Sequence, residues 1–236
     1  MAKTYFQWAE FRSTKAGIKL HTKFNLSKGV PELIIVSNAK PHDRTKMKEL
    51  ITENNCIYVF DKGYAVFKKF DEFSNKGIRF ITRLKDNAAI TEVSKLEITY
   101  SDVTLLDDSI NIIEDIVCYL GTEDINMTKN QYRVITVVDS EGQILTFVTN
   151  ILQYTSEDIA WLYKKHWDIE LFFKWIKQNL KIKRFIGHSL NAVMMQIVSA
   201  IITFIIAKTN TRRNQNSLRL IKNKEINKTL TCKISG

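Results

Sequence analysis

The stretch "YKKHWDIELFFKWIKQNLKIK", residues 163–183, surrounds one glutamate with aromatic rings and lysines. Four polar residues lie in it at offsets of 0, 3, 7 and 14 positions: Tyr163, His166, Glu170 and Lys177. On a helix that turns about 100° per residue, these side chains fall within an arc of about 60°. Such a polar stripe is usually a solvent-exposed face. Here it would also present an acid, a phenol and two potential cations along one ridge.

The opposite side of the same predicted helix, over residues 156–181, is apolar. It carries Leu162, Ile169, Phe172, Phe173, Ile176 and Leu180. Thr155 and Asp158 have the spacing of a capping box at the start of the helix. We therefore expect one continuous amphipathic helix that packs its apolar side into a core.

A second carboxylate that could act with Glu170 is Asp61, which directly follows the apolar run "CIYVF" at 56–60. Such a run is typical of a strand buried on both faces. An Asp between a strand and a helix is most often only an N-cap. Catalytic magnesium, however, binds hard oxygens, usually one or two carboxylates together with substrate phosphate and water. The sequence therefore predicts that Asp61 and Glu170 are ligands of a divalent metal.

Basic residues are concentrated in two segments. Residues 160–184 hold seven lysines and arginines against two acids, and residues 208–236 hold eight against one. The net charges are +5 and +7, within a total of +10 for the chain, so the remainder sums to −2. A basic stripe beside a near-neutral body is expected of a nucleic-acid-binding protein, because phosphate contacts supply most of the sequence-independent affinity. For the tail alone, a solvated lysine-rich terminus is an equal alternative.

The composition, with 44% hydrophobic residues in 236, favours one compact domain, with room for an inserted subdomain. The three cysteines are widely spaced and form no CxxC motif, which indicates neither a disulfide framework nor a zinc site and favours a cytoplasmic protein. No glycine-rich phosphate loop occurs, so a nucleotide cofactor is not expected. The apolar run at 193–207 is shorter than the roughly 20 residues of a membrane span, and we interpret it as a buried helix.

The first third of the chain alternates strand and helix signals, which predicts an α/β sheet. Strands are predicted at 16–27, 32–37, 56–60 and 78–84, and helices at 42–51 and 65–77. From 86 to 150 the segments are short, with no helical period, which indicates a β-rich insertion. Little apolar periodicity follows Ala207, and we predict no regular structure there.

The polar ridge resembles a known signature. The spacing of Tyr163, His166, Glu170 and Lys177 matches the YREK signature of the insertion-sequence-four family of transposases. The wording of "IELFFKWIKQNLKIKRFIG" is also similar to that family, as are "WAEFRSTKAGIKLHT" and "DKGY" at 61–64. The likeness covers roughly residues 6–207.

This resemblance implies a ribonuclease-H-like fold, with a mixed sheet, flanking helices and a β-rich insertion between the second and third acids of a DDE triad. Residues 1–85 and 151–207 would form the catalytic core, 86–150 the insertion and 208–236 a basic tail. The triad of such transposases binds two divalent ions, Mg²⁺ or Mn²⁺, which activate water or a 3′ hydroxyl for attack on DNA phosphodiesters.

The resemblance also implies that Asp61 is the second acid of the triad and Glu170 the third. The side chains implied to bind DNA phosphates are Tyr163, His166, Lys174, Lys177 and Lys181. The implied partners are transposon ends, target DNA and a second copy of the chain in a synaptic complex. No membrane is implied.

Two departures from the family pattern matter. His166 stands where the family has arginine, and a largely neutral imidazole lacks the bidentate fork, although Lys165 could partly substitute. No acid precedes Glu10, whereas the family's first Asp lies on a central strand upstream of the matched segment. We therefore expect a truncated transposase that cuts DNA weakly or not at all. The alternative is a non-catalytic DNA-binding remnant.

Overall fold

The computed structural model describes residues 10–12, 15–16, 18–38, 43–101, 110–179, 186–187, 189–215 and 229–235. Over these residues the chain forms, in order, β1 (Glu10–Arg12), β2 (Lys15–Ala16), β3 (Ile18–Asn25), β4 (Val30–Asn38), α1 (Met47–Leu50), β5 (Ile57–Phe60), α2 (Phe67–Asn75), β6 (Arg79–Arg83), β7 (Ile90–Lys95), β8 (Ile110–Leu120), β9 (Tyr132–Asp139), β10 (Ile144–Thr149), α3 (Ser156–Lys164), α4 (Trp167–Asn179), α5 (Leu190–Gln215) and β11 (Thr229–Ser235).

These elements divide into two compact units. The first comprises Met1–Leu50, Asp168–Asn227 and Thr231–Gly236. The second comprises Ile51–Trp167 and Lys228–Leu230. The segment boundaries expected at 85, 150 and 207 stay a prediction.

The first unit contains a β-hairpin of β3 and β4. The two strands pair antiparallel, from Ile18 opposite Asn38 to Asn25 opposite Val30. Gly29 turns the chain between them with a φ of +62°, a left-handed conformation that glycine adopts without steric cost. The predicted hairpin is therefore confirmed.

The core of the first unit is built from β3, α4 and α5. Its buried side chains are Leu20, Phe24, Ile169, Phe172, Phe173, Ile176, Val193, Ile197, Ala200 and Phe204. The rings of Phe24 and Phe172 lie 5.5 Å apart, and Phe172 meets Phe204 edge to face at 4.8 Å. Full burial of each large apolar side chain contributes roughly 1.5–3 kcal/mol. The apolar side of α4 therefore sets the rotation of that helix.

Two predicted helices differ in extent from those observed. The helix expected over 42–51 is a 3-10 turn, Asp43–Lys46, followed by the single turn α1. The helix expected over 193–207 runs from Leu190 to Gln215, beyond the residue after which we expected no regular structure. The strand β11 also lies in that basic tail.

Helix α5 is not the buried helix that we expected. One face packs in the core through four residues of the cluster above, but Met195, Val198, Ile202 and Ile206 on another face are exposed. By length and composition alone, the segment Leu190–Asn210 could cross a membrane. The packed face is the feature that a core helix of a globular unit requires.

The second unit is a six-stranded mixed sheet in the order β5-β6-β10-β9-β8-β7. Strands β5 and β6 are parallel, and every other neighbouring pair is antiparallel. This mixed sheet with flanking helices confirms the predicted fold class. The β-rich stretch at 86–150 forms β7 to β10, which extend the sheet from β6 through its pairing with β10.

Helix α2 connects the two parallel strands and covers them with aromatic rings. Phe70 stacks on Phe80 of β6 with ring centroids 4.7 Å apart, and Phe60 of β5 stacks on Phe80 at 5.8 Å. All four residues of β5 are buried, as its continuous apolar run predicts. After the helix, Gly77 takes a φ of +67°, which ends it as predicted. This packing fixes the end of β5, where Asp61 follows.

The prediction of one helix over 156–181 is wrong. Helix α3 ends at Lys164 and α4 begins at Trp167. Between them the N–H of His166 donates to the carbonyl of Tyr163 at 2.9 Å, a tighter i−3 bond that interrupts the α-helical ladder. The sequence contains no glycine or proline there, so no breaker signal marked the turn. The capping box of Thr155 and Asp158 at the start of α3 is confirmed.

Asp71 on α2 fastens the segment before β9 to that helix. Its carboxylate accepts hydrogen bonds from the backbone N–H groups of Lys129 and Asn130 at 3.0 and 3.1 Å. The Asn130 amide and the Tyr132 hydroxyl donate to it as well, at 2.9 and 3.0 Å. Burial acts to raise the pKa of Asp71, but these hydrogen bonds outweigh it, and the pKa lies below its ordinary value of 3.8.

Replacing Asp71 by Asn should flatten the acid dependence of stability. Because the folded pKa lies below the unfolded one, the carboxylate stabilises the fold above pH 3.8, and this contribution is lost as the pH falls through the folded pKa. At neutral pH the substitution should cost about 1–3 kcal/mol, since the amide replaces one carboxylate oxygen by a nitrogen that cannot accept, and hydrogen bonds to a charged group are the stronger ones. Urea unfolding across a pH series measures both effects. Asp86→Asn, at an exposed side chain, is the control. If the free energy of unfolding changes with pH in the same way for wild type and Asp71→Asn, this account is wrong.

Candidate active site

Asp61 lies at the carboxyl end of β5, half-buried, at the start of a 3-10 turn over Lys62–Tyr64. Its Oδ1 accepts a hydrogen bond from the Lys62 N–H at 2.7 Å. Asp61 is thus an N-cap, the common role for an Asp in this position. The cap uses only one of its two oxygens, and the carboxyl end of a parallel strand pair is where α/β sheets usually bind ligands.

The register of β5 and β6 places a cation beside Asp61. Phe60 pairs with Thr82 in this parallel pair, so the next residues, Asp61 and Arg83, lie at the same edge of the sheet on strands about 4.8 Å apart. Arg83 was not among the site residues predicted from the sequence. The available signal was its place at the end of the second buried strand, which matches that of Asp61 after the first.

Tyr163 lies against the same edge of the second unit. Its ring is 8% exposed and stacks on Phe147 of β10, with centroids 4.3 Å apart and planes 28° apart. Burial raises the pKa of Tyr163 above its ordinary value, the charge of Asp61 adds to the rise, and the charge of Arg83 opposes it. Asp61 and Arg83 are level in the strand pair and both charges act on the phenol of Tyr163, so we refer to these three residues as one cluster. The hydroxyl is protonated at neutral pH and can donate a hydrogen bond.

His166 is buried rather than part of an exposed ridge. It is 5% exposed, and its ring lies 5.6 Å from that of Tyr163 with the planes 24° apart. The expected solvent-exposed face is therefore wrong for Tyr163 and His166, because the turn before α4 folds both rings into the second unit. In this position the imidazole supports the phenol.

A buried ion pair holds the start of α3, the helix that carries Tyr163. Arg133 of β9 donates from Nε and Nη2 to the Asp115 carboxylate of β8, at 2.9 and 2.6 Å. The Ser156 hydroxyl donates to the same carboxylate at 2.6 Å. Ser101 contacts both members of the capping box, with Oγ distances of 3.1 Å to Thr155 and 2.9 Å to Asp158. Strands of the predicted insertion therefore position α3.

The other predicted site residues lie on α4 in the first unit. Glu170 is half-buried in the first turn, where the partial positive charge of a helix N-terminus favours a carboxylate. Lys174 and Lys177 are exposed, on the side of α4 away from its core residues. Lys181 and Leu180 lie outside the described residues. Four of the predicted apolar positions on α4 are in the core, at 169, 172, 173 and 176.

The two carboxylates suit a divalent metal in ligand type. Mg²⁺ takes hard oxygens and usually binds through one or two carboxylates, completed by substrate phosphate and water. Asp61 can offer the oxygen that its cap leaves unused. Over the described part of the chain, no group of three or more His, Cys, Asp or Glu side chains is arranged to hold a metal. Asp61 and Glu170 each carry the type of oxygen that such a metal prefers.

Comparison with known proteins gives a consistent result. Residues 4–206 match the family model of the transposase DDE domain. A protein of Sinorhizobium fredii named as the transposase y4zB is 28% identical over 91% of this chain and 59% of its own length. The protein named as the transposase of insertion sequence element IS5377, from Geobacillus stearothermophilus, is 28% identical over 88% of this chain and 53% of its own length. The chain therefore spans little more than half the length of these relatives.

Replacing one partner of the buried ion pair should destabilise the second unit more than replacing both partners by apolar residues. Asp115→Asn leaves the Arg133 charge buried without a counter-charge, and we expect a loss of about 3–5 kcal/mol in the free energy of unfolding. The double substitution Asp115→Leu with Arg133→Met should restore a large part of that loss, since no buried charge is left. Urea unfolding of the single and double variants measures the difference. If the double variant is less stable than Asp115→Asn, the unpaired charge of Arg133 is not the cause of the lost stability.

Proposed function

Because the chain belongs to the transposase DDE domain family, we propose that it binds transposon-end DNA and carries part of the catalytic site for metal-dependent strand cleavage and transfer. The observation that best supports this is the cluster at the end of β5, where Asp61 is level with Arg83 in the strand pair and both charges act on the protonated phenol of Tyr163. An acid that can bind a metal, next to groups that can bind phosphate, is what phosphodiester chemistry requires.

Asp61 and Glu170 would be the carboxylates that hold the divalent ions, Mg²⁺ or Mn²⁺, in a two-metal site. Such ions, when bound, activate water or a 3′ hydroxyl for in-line attack on a phosphodiester. The protein's own groups bind and orient the backbone. Tyr163 would donate its hydroxyl hydrogen to a phosphate oxygen, and His166, stacked against it, would hold the ring in place rather than contact DNA strongly.

The lysines of α4 would bind the transposon-end backbone as point charges. Lys174 and Lys177 are exposed, so their ammonium groups can reach phosphates. Lys181 belongs to the same proposal from its sequence position. Target DNA and a second copy of the chain in a synaptic complex complete the expected partners, in the cytoplasm and without a nucleotide cofactor or a membrane.

Catalysis by these 236 residues alone would be weak. The family resemblance implies three acids, and Asp61 and Glu170 are the two with counterparts at matched positions. The second candidate function is a DNA-binding protein without nuclease activity.

Glu170→Gln separates the two functions. If Glu170 is a metal ligand, divalent-ion-dependent nicking of a supercoiled plasmid that carries transposon ends should fall by at least the roughly hundredfold that loss of one preorganised stabilising group costs. DNA affinity should change little. Glu123→Gln, at an exposed carboxylate in the turn after β8, is the matched control. Nicking that persists in Glu170→Gln would remove Glu170 from the metal site, and DNA binding without nicking by the wild-type chain would favour the second function.

Lys177→Ala should weaken binding to a transposon-end duplex. If Lys177 contacts a phosphate, the slope of log affinity against log salt concentration should become shallower by about 1. Lys95→Ala removes the same charge from the exposed strand β7 and should leave the slope unchanged. Fluorescence anisotropy over a salt series measures both. Equal slopes for wild type and Lys177→Ala would exclude the phosphate contact.

A further inference from the structure

We propose that Arg83 is a phosphate-binding residue of the site and supplies the guanidinium that the signature position of His166 lacks. This inference rests on the proposed function, because its ligand is a phosphodiester of the bound DNA. Three features support it: the position of Arg83, its unused hydrogen-bond donors and the burial of His166.

The position of Arg83 is set by the sheet. It ends β6, directly beside the end of β5, and the pairing of Phe60 with Thr82 places it level with Asp61. Its charge also reaches the buried phenol of Tyr163. A phosphate bound at the carboxyl end of β5 would therefore be near the guanidinium of Arg83.

The donors of Arg83 are not committed to a structural partner. Nε is buried, and no acceptor within the described residues lies in hydrogen-bonding reach of it. Nη2 lies 3.8 Å from Oδ1 of Asp86, a side chain that is 82% exposed. An ion pair of that length to an exposed carboxylate contributes little. Over the same described residues no ion pair joins Arg83 to Asp61, although the two lie at the same edge.

A phosphate fits these unused donors. Leaving a buried N–H without an acceptor has a free-energy cost, which a bound acceptor removes. Nε and one Nη form a planar fork that binds two phosphate oxygens, a geometry that lysine cannot reproduce. The side chain of Arg83 is 25% exposed although Nε itself is buried, so part of the guanidinium is open to a ligand at this edge.

The burial of His166 explains why another cation is needed. At 5% exposure and stacked on Tyr163, the imidazole presents little surface to DNA. A protein with arginine at that signature position has its fork on the helix. In this chain we propose that the fork comes from Arg83 at the end of β6.

The experiment compares Arg83→Gln with Arg79→Gln. Arg79 begins the same strand, is also half-buried and lies at the opposite edge of the sheet, so its removal changes the net charge equally. Binding of a labelled DNA duplex is measured by anisotropy over a salt series, and unfolding temperature is measured with and without inorganic phosphate. Arg83→Lys tests whether the fork or only the charge is needed.

We expect Arg83→Gln to weaken duplex binding by about tenfold or more, the size of one lost charge-assisted contact, and to make the salt slope shallower by about 1. Arg83→Lys should recover the slope but only part of the affinity. Phosphate should raise the unfolding temperature of wild type and Arg79→Gln more than that of Arg83→Gln. Without phosphate, all variants should unfold near the wild-type temperature, because Nε has no structural acceptor to lose.

Equal affinities and slopes for Arg83→Gln and Arg79→Gln would overturn the proposal. A fall in unfolding temperature for Arg83→Gln and Arg83→Lys, with unchanged duplex binding, would assign Arg83 a structural role and also overturn it. If Arg83→Gln weakens binding while Glu170→Gln leaves nicking intact, the phosphate site holds and the metal assignment of Glu170 fails. A wild-type chain with no affinity for duplex DNA would overturn both proposals.

Discussion

The second unit depends on the buried contact between the Asp115 carboxylate and the Arg133 guanidinium. Two charges removed from water carry a desolvation penalty of several kcal/mol per ion, and only close geometry with further hydrogen bonds offsets it. Here the Ser156 hydroxyl donates to the carboxylate and the Tyr154 carbonyl accepts from the guanidinium. These hydrogen bonds hold β8, β9 and the start of α3 in one arrangement. The position of Tyr163 against Phe147 follows from it. The β-rich segment is in this way a support of the site, although it holds none of the predicted site residues.

The groups at the end of β5 have complementary ionisation. A buried phenol next to a carboxylate keeps its proton, because the ionised form would be both desolvated and repelled. A guanidinium keeps its charge under all ordinary conditions. The cluster therefore offers one anion, one cation and one neutral donor within one packed unit. Under the proposed function, the carboxylate would hold a metal, and the phenol and the guanidinium would donate to a phosphate.

Much of this fold could be predicted from local sequence patterns. The buried strand before Asp61, the hairpin around Gly29 and the capping box of Thr155 each rest on interactions within a few residues, and each is confirmed. The α/β class also followed from the order of these signals, whereas the mixed sheet was implied by the family resemblance. The apolar side of α4 was predictable for the same reason, because helical periodicity alone decides it.

What could not be predicted depends on tertiary contacts. The turn at His166 has no glycine or proline to signal it and arises where the Tyr163 ring is buried against Phe147 of the sheet and the His166 ring stacks on Tyr163. Arg83 has no recognisable spacing from Asp61, and only the strand register brings them level. Helix α5 has the apolar composition of a core helix, but one of its faces is exposed. The sequence alone does not show which apolar faces of a helix pack against other elements.

The turn between α3 and α4 has a consequence for how such a chain can diverge. In one continuous helix, inserting a single residue rotates every later side chain by about 100° and displaces a core face and a functional face together. Because the helix is interrupted at Lys165 and His166, the rotation of α4 about its axis is independent of the rotation of α3. Lineages can then re-register the lysines of α4 by small insertions or deletions at this joint, while the phenol on α3 keeps its setting.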